Sequence, residues 1–106
     1  MTRQELLHKL SQLKPKLREK GFEILGIFGS YAREEQIPDS DVGILYILSE
    51  PKRFRKIYGG FGAFTKIRQT KEYLQDQLGA KVDFVDRSSL TRTGKKYILK
   101  DLVNVD

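Results

Sequence analysis

The chain has 106 residues, a formal net charge of +6, 39% hydrophobic residues and 32% charged residues. This length suits one hydrophobic core, and the mixture of apolar and charged residues excludes a disordered chain. The absence of cysteine excludes disulfides, thiolate catalysis and cysteine-based zinc sites. No apolar run approaches the roughly 20 residues of a membrane span. We therefore expect residues 1–106 to form a single cytoplasmic domain without a membrane anchor.

The positive charge lies in the second half of the chain. Residues 1–50 carry seven Lys and Arg against eight Asp and Glu, whereas residues 51–106 carry thirteen against six. A basic half suits a polyanion, a nucleotide or an acidic protein surface. An exposed lysine-rich surface without any ligand explains the same imbalance, so charge alone leaves these alternatives open.

The N-terminal segment predicts an amphipathic helix over residues 2–20. Five leucines recur at helical spacing: Leu6, Leu7, Leu10, Leu13 and Leu17. Thr2 and Glu5 have the spacing of a capping box at its start. Because proline inside a continuous helix costs roughly 3 kcal/mol, we expect Pro15 to cause a break near Lys14.

Two apolar runs follow and predict strands at Phe22–Phe28 and Val42–Leu48. Their nearly continuous apolar character predicts burial on both faces, and we expect the first of them to lie in the centre of the sheet. Between them, Ser30–Glu35 predicts a short helix and Gln36–Asp39 predicts a connecting loop.

The second half predicts two further helices and one strand. A glycine cluster at 59–62 follows the basic segment 52–56, and we expect a flexible linker with an exposed basic flank. Contact of this flank with nucleotide phosphates or an acidic partner is the alternative. Residues 62–78 predict a helix, residues 81–85 a short strand and Arg92–Val103 a final helix. The alternation of helices and strands indicates an α/β fold.

The turn after the first strand has the chemistry of a phosphate site. Gly29 and Ser30 precede the predicted short helix, where free backbone N–H groups and the helix dipole can receive a phosphate. Asp41 opens the second strand, where a carboxylate can hold a divalent cation against that phosphate. Positions 41 and 43 share one side of the strand, since successive strand residues alternate, but position 43 is Gly43.

These residues resemble the minimal nucleotidyltransferase family of the polymerase-beta superfamily, whose pattern is Gly-Ser, a short segment and then Asp-x-Asp. Gly29-Ser30 and Asp41-Val42-Gly43 follow this pattern, with glycine in place of the second aspartate. Asp83 ends the segment Gly-Ala-Lys-Val-Asp, which matches the Gly-x-x-Val-Asp of the family. Residues 32–35 read Ala-Arg-Glu-Glu where the family commonly reads Ala-Arg-Gly-Glu.

The resemblance implies a small nucleotidyltransferase (polymerase-beta-like) α/β fold, with a short mixed sheet flanked by helices. It implies that Gly29 and Ser30 bind the triphosphate of ATP, and that Asp41 is the first Mg²⁺ ligand. Asp83 would be a third carboxylate that completes the metal site or acts as a base. Because Gly43 occupies the position of the second ligand, we expect impaired catalysis. Asp39 also forms an Asp-x-Asp with Asp41, but we do not expect it to substitute because it precedes the strand.

Members of this family often act as antitoxins paired with HEPN-domain ribonuclease toxins, and some transfer AMP from ATP onto the toxin. The resemblance therefore implies a cytoplasmic antitoxin that forms a hetero-oligomer with a HEPN-type toxin and adenylylates it. The alternative is a catalytically inactive module of the same fold that neutralises its partner by noncovalent binding. A nucleic-acid-binding domain is the third hypothesis, and it is disfavoured because the sequence contains no recognisable recognition helix.

Overall fold

The computed structural model describes residues 1–106, which form three helices and one four-stranded sheet. The helices are α1 (Arg3–Glu19), α2 (Pro51–Leu78) and α3 (Arg92–Lys100). The strands are β1 (Phe22–Phe28), β2 (Val42–Leu48), β3 (Val82–Asp86) and β4 (Val103–Asn104). None of the helices combines the length and the apolar character needed to cross a membrane.

The sheet has the strand order β3-β2-β1-β4 and is mixed. β1 pairs antiparallel with both β2 and β4, whereas β2 and β3 run parallel and are connected through α2. The predicted strands at Phe22–Phe28 and Val42–Leu48 have the predicted bounds, and β1 lies inside the sheet. The structure confirms the predicted short mixed sheet flanked by helices.

Helix α1 is continuous through Pro15, so the predicted break near Lys14 is wrong. Leu17, which lies beyond the proline, is fully buried in the core. Its burial favours continuation of the helix and offsets the local cost of the proline, since tertiary packing supplies most of the stability of a helix. The capping box of Thr2 and Glu5 is formed as predicted.

The glycine cluster is part of α2, so the predicted flexible linker is wrong. α2 begins at Pro51, well before the predicted start near residue 62. Only Gly59 leaves the helical conformation, with φ 71° and ψ −174°, and this kinks the helix. A positive φ of this kind is readily adopted by glycine alone. Phe54, which is buried, anchors the first turns of α2 to the core.

Helix α3 ends before Val103, its predicted limit, and the chain then forms the unpredicted strand β4. β4 pairs with Gly26 and Ile27 of β1. Gly26 permits this close approach, since a Cβ atom there would lie 2.5 Å from the carbonyl oxygen of Val103. Val105, directly after β4, is buried in the core.

Glu34 is the one non-glycine residue with a positive φ, at 58°. It occupies the position where the resembled family commonly has glycine, and its carboxylate lies 3.5 Å from the guanidinium of Arg3. The left-handed conformation costs a residue with a Cβ atom roughly 1–2 kcal/mol. Glycine, which the resembled family commonly has at this position, therefore adopts the left-handed conformation without this cost.

We expect Glu34→Gly to be more stable than Glu34→Ala by about 1 kcal/mol, because both remove the Arg3 ion pair and only glycine relieves the backbone. Urea-induced unfolding of the two variants measures the difference. Equal stability of the two variants would contradict backbone strain at Glu34.

Candidate active site

One open cavity of about 230 Å³ lies where β1 ends and β2 begins. It brings together the four residues that the sequence predicts for binding or catalysis: Gly29, Ser30, Asp41 and Asp83. Gly43, at the position expected for the second ligand, lines it as well. Two further residues line it, namely Phe28 and Ser40. Three segments that are distant in sequence thus converge on one cavity.

The strand register explains this convergence. Phe28 pairs with Gly43 across the antiparallel β1–β2 ladder, and Gly43 pairs with Asp83 across the parallel β2–β3 ladder. Paired residues on neighbouring strands direct their side chains to the same face of a sheet. Asp83 therefore shares a face with position 43, while its neighbour Val82 is buried in the core.

The Gly-Ser segment forms a turn, and the predicted helix over Ser30–Glu35 is wrong. Three backbone hydrogen bonds close the turn. The Arg33 N–H donates to the Gly29 carbonyl at 3.1 Å, the Glu34 N–H to the Tyr31 carbonyl at 3.2 Å, and the Glu35 N–H to the Ser30 carbonyl at 2.8 Å. Gly29 has a positive φ of 81°, which suits glycine. Because the turn does not continue as a helix, no helix dipole contributes to phosphate binding here.

The turn nevertheless retains donors for an anion. The backbone N–H groups of Ser30, Tyr31 and Ala32 donate no hydrogen bond within the chain. Successive unpaired N–H groups after a residue with positive φ are typical of anion-binding loops. The Gly-Ser turn can thus receive a phosphate through its backbone and the Ser30 hydroxyl.

The cavity contains no cationic side chain among its lining residues. Arg33, the nearest arginine in sequence, donates hydrogen bonds to Glu35 and to Asp101, each at 3.1 Å. These bonds raise the pKa of the Arg33 guanidinium above its usual value. The charge of a bound triphosphate would therefore have to be met by backbone N–H groups and a metal ion.

Asp41 and Asp83 are the two carboxylates of the cavity. Both are exposed, and the five ion pairs of the chain involve neither of them. The chain contains no cluster of three or more His, Asp or Glu side chains suited to a metal ion. Because Mg²⁺ is often held by one or two carboxylates together with substrate phosphates, this pair fits one nucleotide-bound ion. It does not fit an arrangement of two ions held by three carboxylates.

Asp39 lies outside this cavity. It belongs to the Pro38–Asp39 turn and lines a neighbouring groove with Lys81 and Gly79. That groove shares Asp41 with the candidate site but not Asp83. The structure thus gives no sign that the carboxylate of Asp39 takes the position of the missing second ligand.

Gly43 is packed tightly against β1. A Cβ atom at this position would lie 2.6 Å from Cε2 of Phe28 and 2.7 Å from its carbonyl oxygen. Real Cβ atoms essentially never approach other heavy atoms closer than 3.0 Å, so any side chain here forces a shift. The sequence analysis missed Phe28, because only the register of β1 with β2 reveals this contact. Gly43 is therefore a packing residue at the position where the resemblance places a second carboxylate.

Comparison with known proteins identifies the family. The nucleotidyltransferase domain family matches residues 7–104. The chain is 36% identical to protein adenylyltransferase MntA of Thermococcus cleftensis, over 99% of this chain and 97% of that protein. It is 37% identical to a protein of Methanocaldococcus jannaschii designated a protein adenylyltransferase, over 95% of this chain and 92% of that protein.

Solved structures agree with this family. The structure of a minimal nucleotidyltransferase superposes with a TM-score of 0.71 at 25% identity, covering 97% of this chain and 95% of that one. A toxin–antitoxin crystal structure with AMP-PNP has the same fold, with a TM-score of 0.69 at 19% identity, covering 94% of this chain and 72% of that one. The chain belongs to the nucleotidyltransferase domain family and has the fold of its minimal members.

Proposed function

We propose that this chain is a single-domain, cytoplasmic antitoxin that binds ATP and Mg²⁺ and transfers AMP to a HEPN-type toxin partner. We further propose that Gly43 lowers the rate of this transfer. The observation that carries the proposal is the convergence of the Gly-Ser turn, Asp41 and Asp83 on one cavity. The names of the relatives support the adenylyltransferase activity, and the shared fold of toxin–antitoxin structures agrees with the antitoxin role.

In this proposal each of these residues has a defined role in binding or catalysis. The turn of Gly29 and Ser30 binds the triphosphate, and the carboxylates of Asp41 and Asp83 would hold Mg²⁺. When bound, the metal supplies positive charge that neutralises the phosphates. A partner hydroxyl oxygen forms a bond to the α-phosphorus, and the bond from that phosphorus to the pyrophosphate group breaks. The proton of the hydroxyl passes to the carboxylate of Asp83, which serves as the base.

The contact between Gly43 and Phe28 favours a second candidate function. Because β2 packs tightly on β1 where the second metal ligand is expected, the fold suits glycine rather than a carboxylate at position 43. In this second candidate, the chain neutralises its partner by noncovalent binding alone.

An adenylylation assay separates the two functions. The chain is incubated with the product of the adjacent gene, Mg²⁺ and ATP labelled at the α-phosphate, and label on the partner is measured. We expect slow transfer, and we expect Asp83→Asn to reduce it by at least about 100-fold because the base is lost. Asp39→Asn is the matched control and should retain the rate, since Asp39 lies outside the cavity. A stable complex without any transfer would overturn the enzyme and support the binding module.

A pair of substitutions at position 43 tests the cause of the proposed impairment. Gly43→Ala and Gly43→Asp both introduce the Cβ atom that collides with Phe28, so we expect each to lower the unfolding free energy by about 1–3 kcal/mol. Only Gly43→Asp adds a ligand, so it should bind Mg²⁺-ATP more tightly and transfer AMP faster than Gly43→Ala. Urea unfolding, calorimetric titration and the labelling assay measure these effects. Identical binding and transfer by the two variants would contradict a ligand role for position 43.

A further inference from the structure

The first half of α2 carries an apolar surface that no other part of the chain covers. Phe61 is 94% exposed, Phe64 is 70% exposed and Ile57 is 61% exposed. Phe61 and Phe64 lie three residues apart in the helical segment after Gly59 and therefore share a face. We call these three side chains, with the cations around them, the α2 surface.

Positive charge is concentrated in the same part of the helix as these side chains. Residues 51–71 contain no Asp or Glu and seven cations: Lys52, Arg53, Arg55, Lys56, Lys66, Arg68 and Lys71. Only Arg53 makes an ion pair, at 3.4 Å with Glu50, which precedes the helix. Since the whole chain has a net charge of +6, this segment accounts for all of its positive excess. The α2 surface is therefore both apolar and strongly basic.

The inner side of the same helix is fixed to the core. Phe54 is buried, and its ring lies 5.5 Å from that of Phe22 in an edge-to-face arrangement. Tyr58 packs against Phe54 with ring centroids 4.8 Å apart. The α2 surface is thus presented by an anchored helix. Around Gly60 no atom would contact a Cβ, so a partner can approach the helix backbone closely there.

We propose that the α2 surface is the docking site for the protein partner, and that the partner presents an apolar groove rimmed by Asp and Glu. Charge complementarity identifies this chemistry, because cations around an apolar centre attract and orient an acidic rim. An exposed helix with apolar anchors is also typical of helix-in-groove recognition. The inference rests on the proposed function, since the docked protein is the one that receives AMP.

Nucleic acid and membrane, the two other candidate ligands, account for fewer features of the α2 surface than a protein groove does. Single-stranded nucleic acid would stack its bases on Phe61 and Phe64 but would leave the aliphatic Ile57 without a role. A membrane-surface helix needs a longer apolar face than these few side chains supply. A protein groove accounts for the aromatic rings, the isoleucine and the cations together.

The aromatic side chains of the α2 surface lie away from the candidate active site. α2 ends at Leu78, shortly before Asp83, and Phe64 precedes Leu78 by 14 residues, or roughly 20 Å of helix. β2 begins beside Asp41 and ends at Leu48, and α2 begins shortly after that far end. A strand of seven residues spans roughly 20 Å. Substitutions on the α2 surface should therefore leave ATP binding unchanged, and this makes docking and chemistry separable by experiment.

Affinity for the product of the adjacent gene, measured by calorimetric titration, tests the docking site. We expect the double substitution Phe61→Ala and Phe64→Ala to weaken binding at least about tenfold. Central aromatic residues supply much of the binding energy of protein interfaces, and truncating them is costly. The pair Arg55→Glu and Lys56→Glu should weaken binding similarly and reduce its salt dependence.

Matched controls lie on α3: Tyr97→Ala removes an aromatic ring that is also 70% exposed, and Lys95→Glu with Lys96→Glu reverses two exposed cations. We expect both controls to retain affinity, and all variants to retain ATP binding as a check of folding. Unchanged affinity in the α2 variants, or a larger loss in the α3 variants, would overturn the docking site.

Three further outcomes distinguish failure of the proposed occupant, of the proposed function and of the docking site. If α2 variants lose binding to single-stranded RNA or to anionic phosphatidylserine vesicles while partner affinity stays, the proposed occupant is wrong. If the unaltered chain neither binds nor adenylylates the adjacent gene product, the proposed function fails. If it binds and Asp83→Asn abolishes transfer while α2 variants bind normally, only the docking inference fails.

Discussion

The candidate site depends on one structural constraint, the register of three adjacent strands at Phe28, Gly43 and Asp83. A slip of β3 by one residue would direct Val82 into the cavity and Asp83 into the core, because strand side chains alternate between faces. The register is held beside the site by the Val42 N–H, which donates to the Lys81 carbonyl at 2.8 Å. Burial of Val82 adds the hydrophobic part of this constraint. Packing of Val82 in the core thus determines that the adjacent Asp83 faces the cavity.

The same register gives Gly43 two roles that cannot be separated by a single substitution. Any side chain at this position must displace Phe28, and a carboxylate there would also change the charge of the cavity. The expected position of a second ligand and the close packing of β1 on β2 therefore coincide at one residue. What remains, Asp41 and Asp83, suits a single nucleotide-bound cation.

Local signals in the sequence predict the strands well and the long-range features poorly. The runs at Phe22–Phe28 and Val42–Leu48 are apolar enough to predict both strands with the observed bounds. Pro15 predicts a break that does not occur, and the glycines of α2 predict a linker where the structure has only a kink at Gly59. Leu17 and Phe54, which pack into the core, keep the chain helical beside these positions. β4 is too short to have a periodic pattern, and the contact of Phe28 with Gly43 follows only from the strand register. The motif predicts which residues meet in the cavity, but it does not predict their packing.

The distribution of charge explains why nucleotide and partner would use different parts of the molecule. The cavity has two carboxylates and no cationic side chain, so a triphosphate entering it without a metal ion meets repulsion that backbone N–H groups only partly offset. Nucleotide and cation should therefore bind in a coupled manner, each raising the affinity for the other. The cations of residues 51–71 lie on the exposed helix α2 and do not line this cavity, so they do not relieve the repulsion. Their placement on α2 is explained if they bind the acidic surface of a protein partner. A protein partner would then bring its own charge to α2 while the metal ion neutralises the nucleotide.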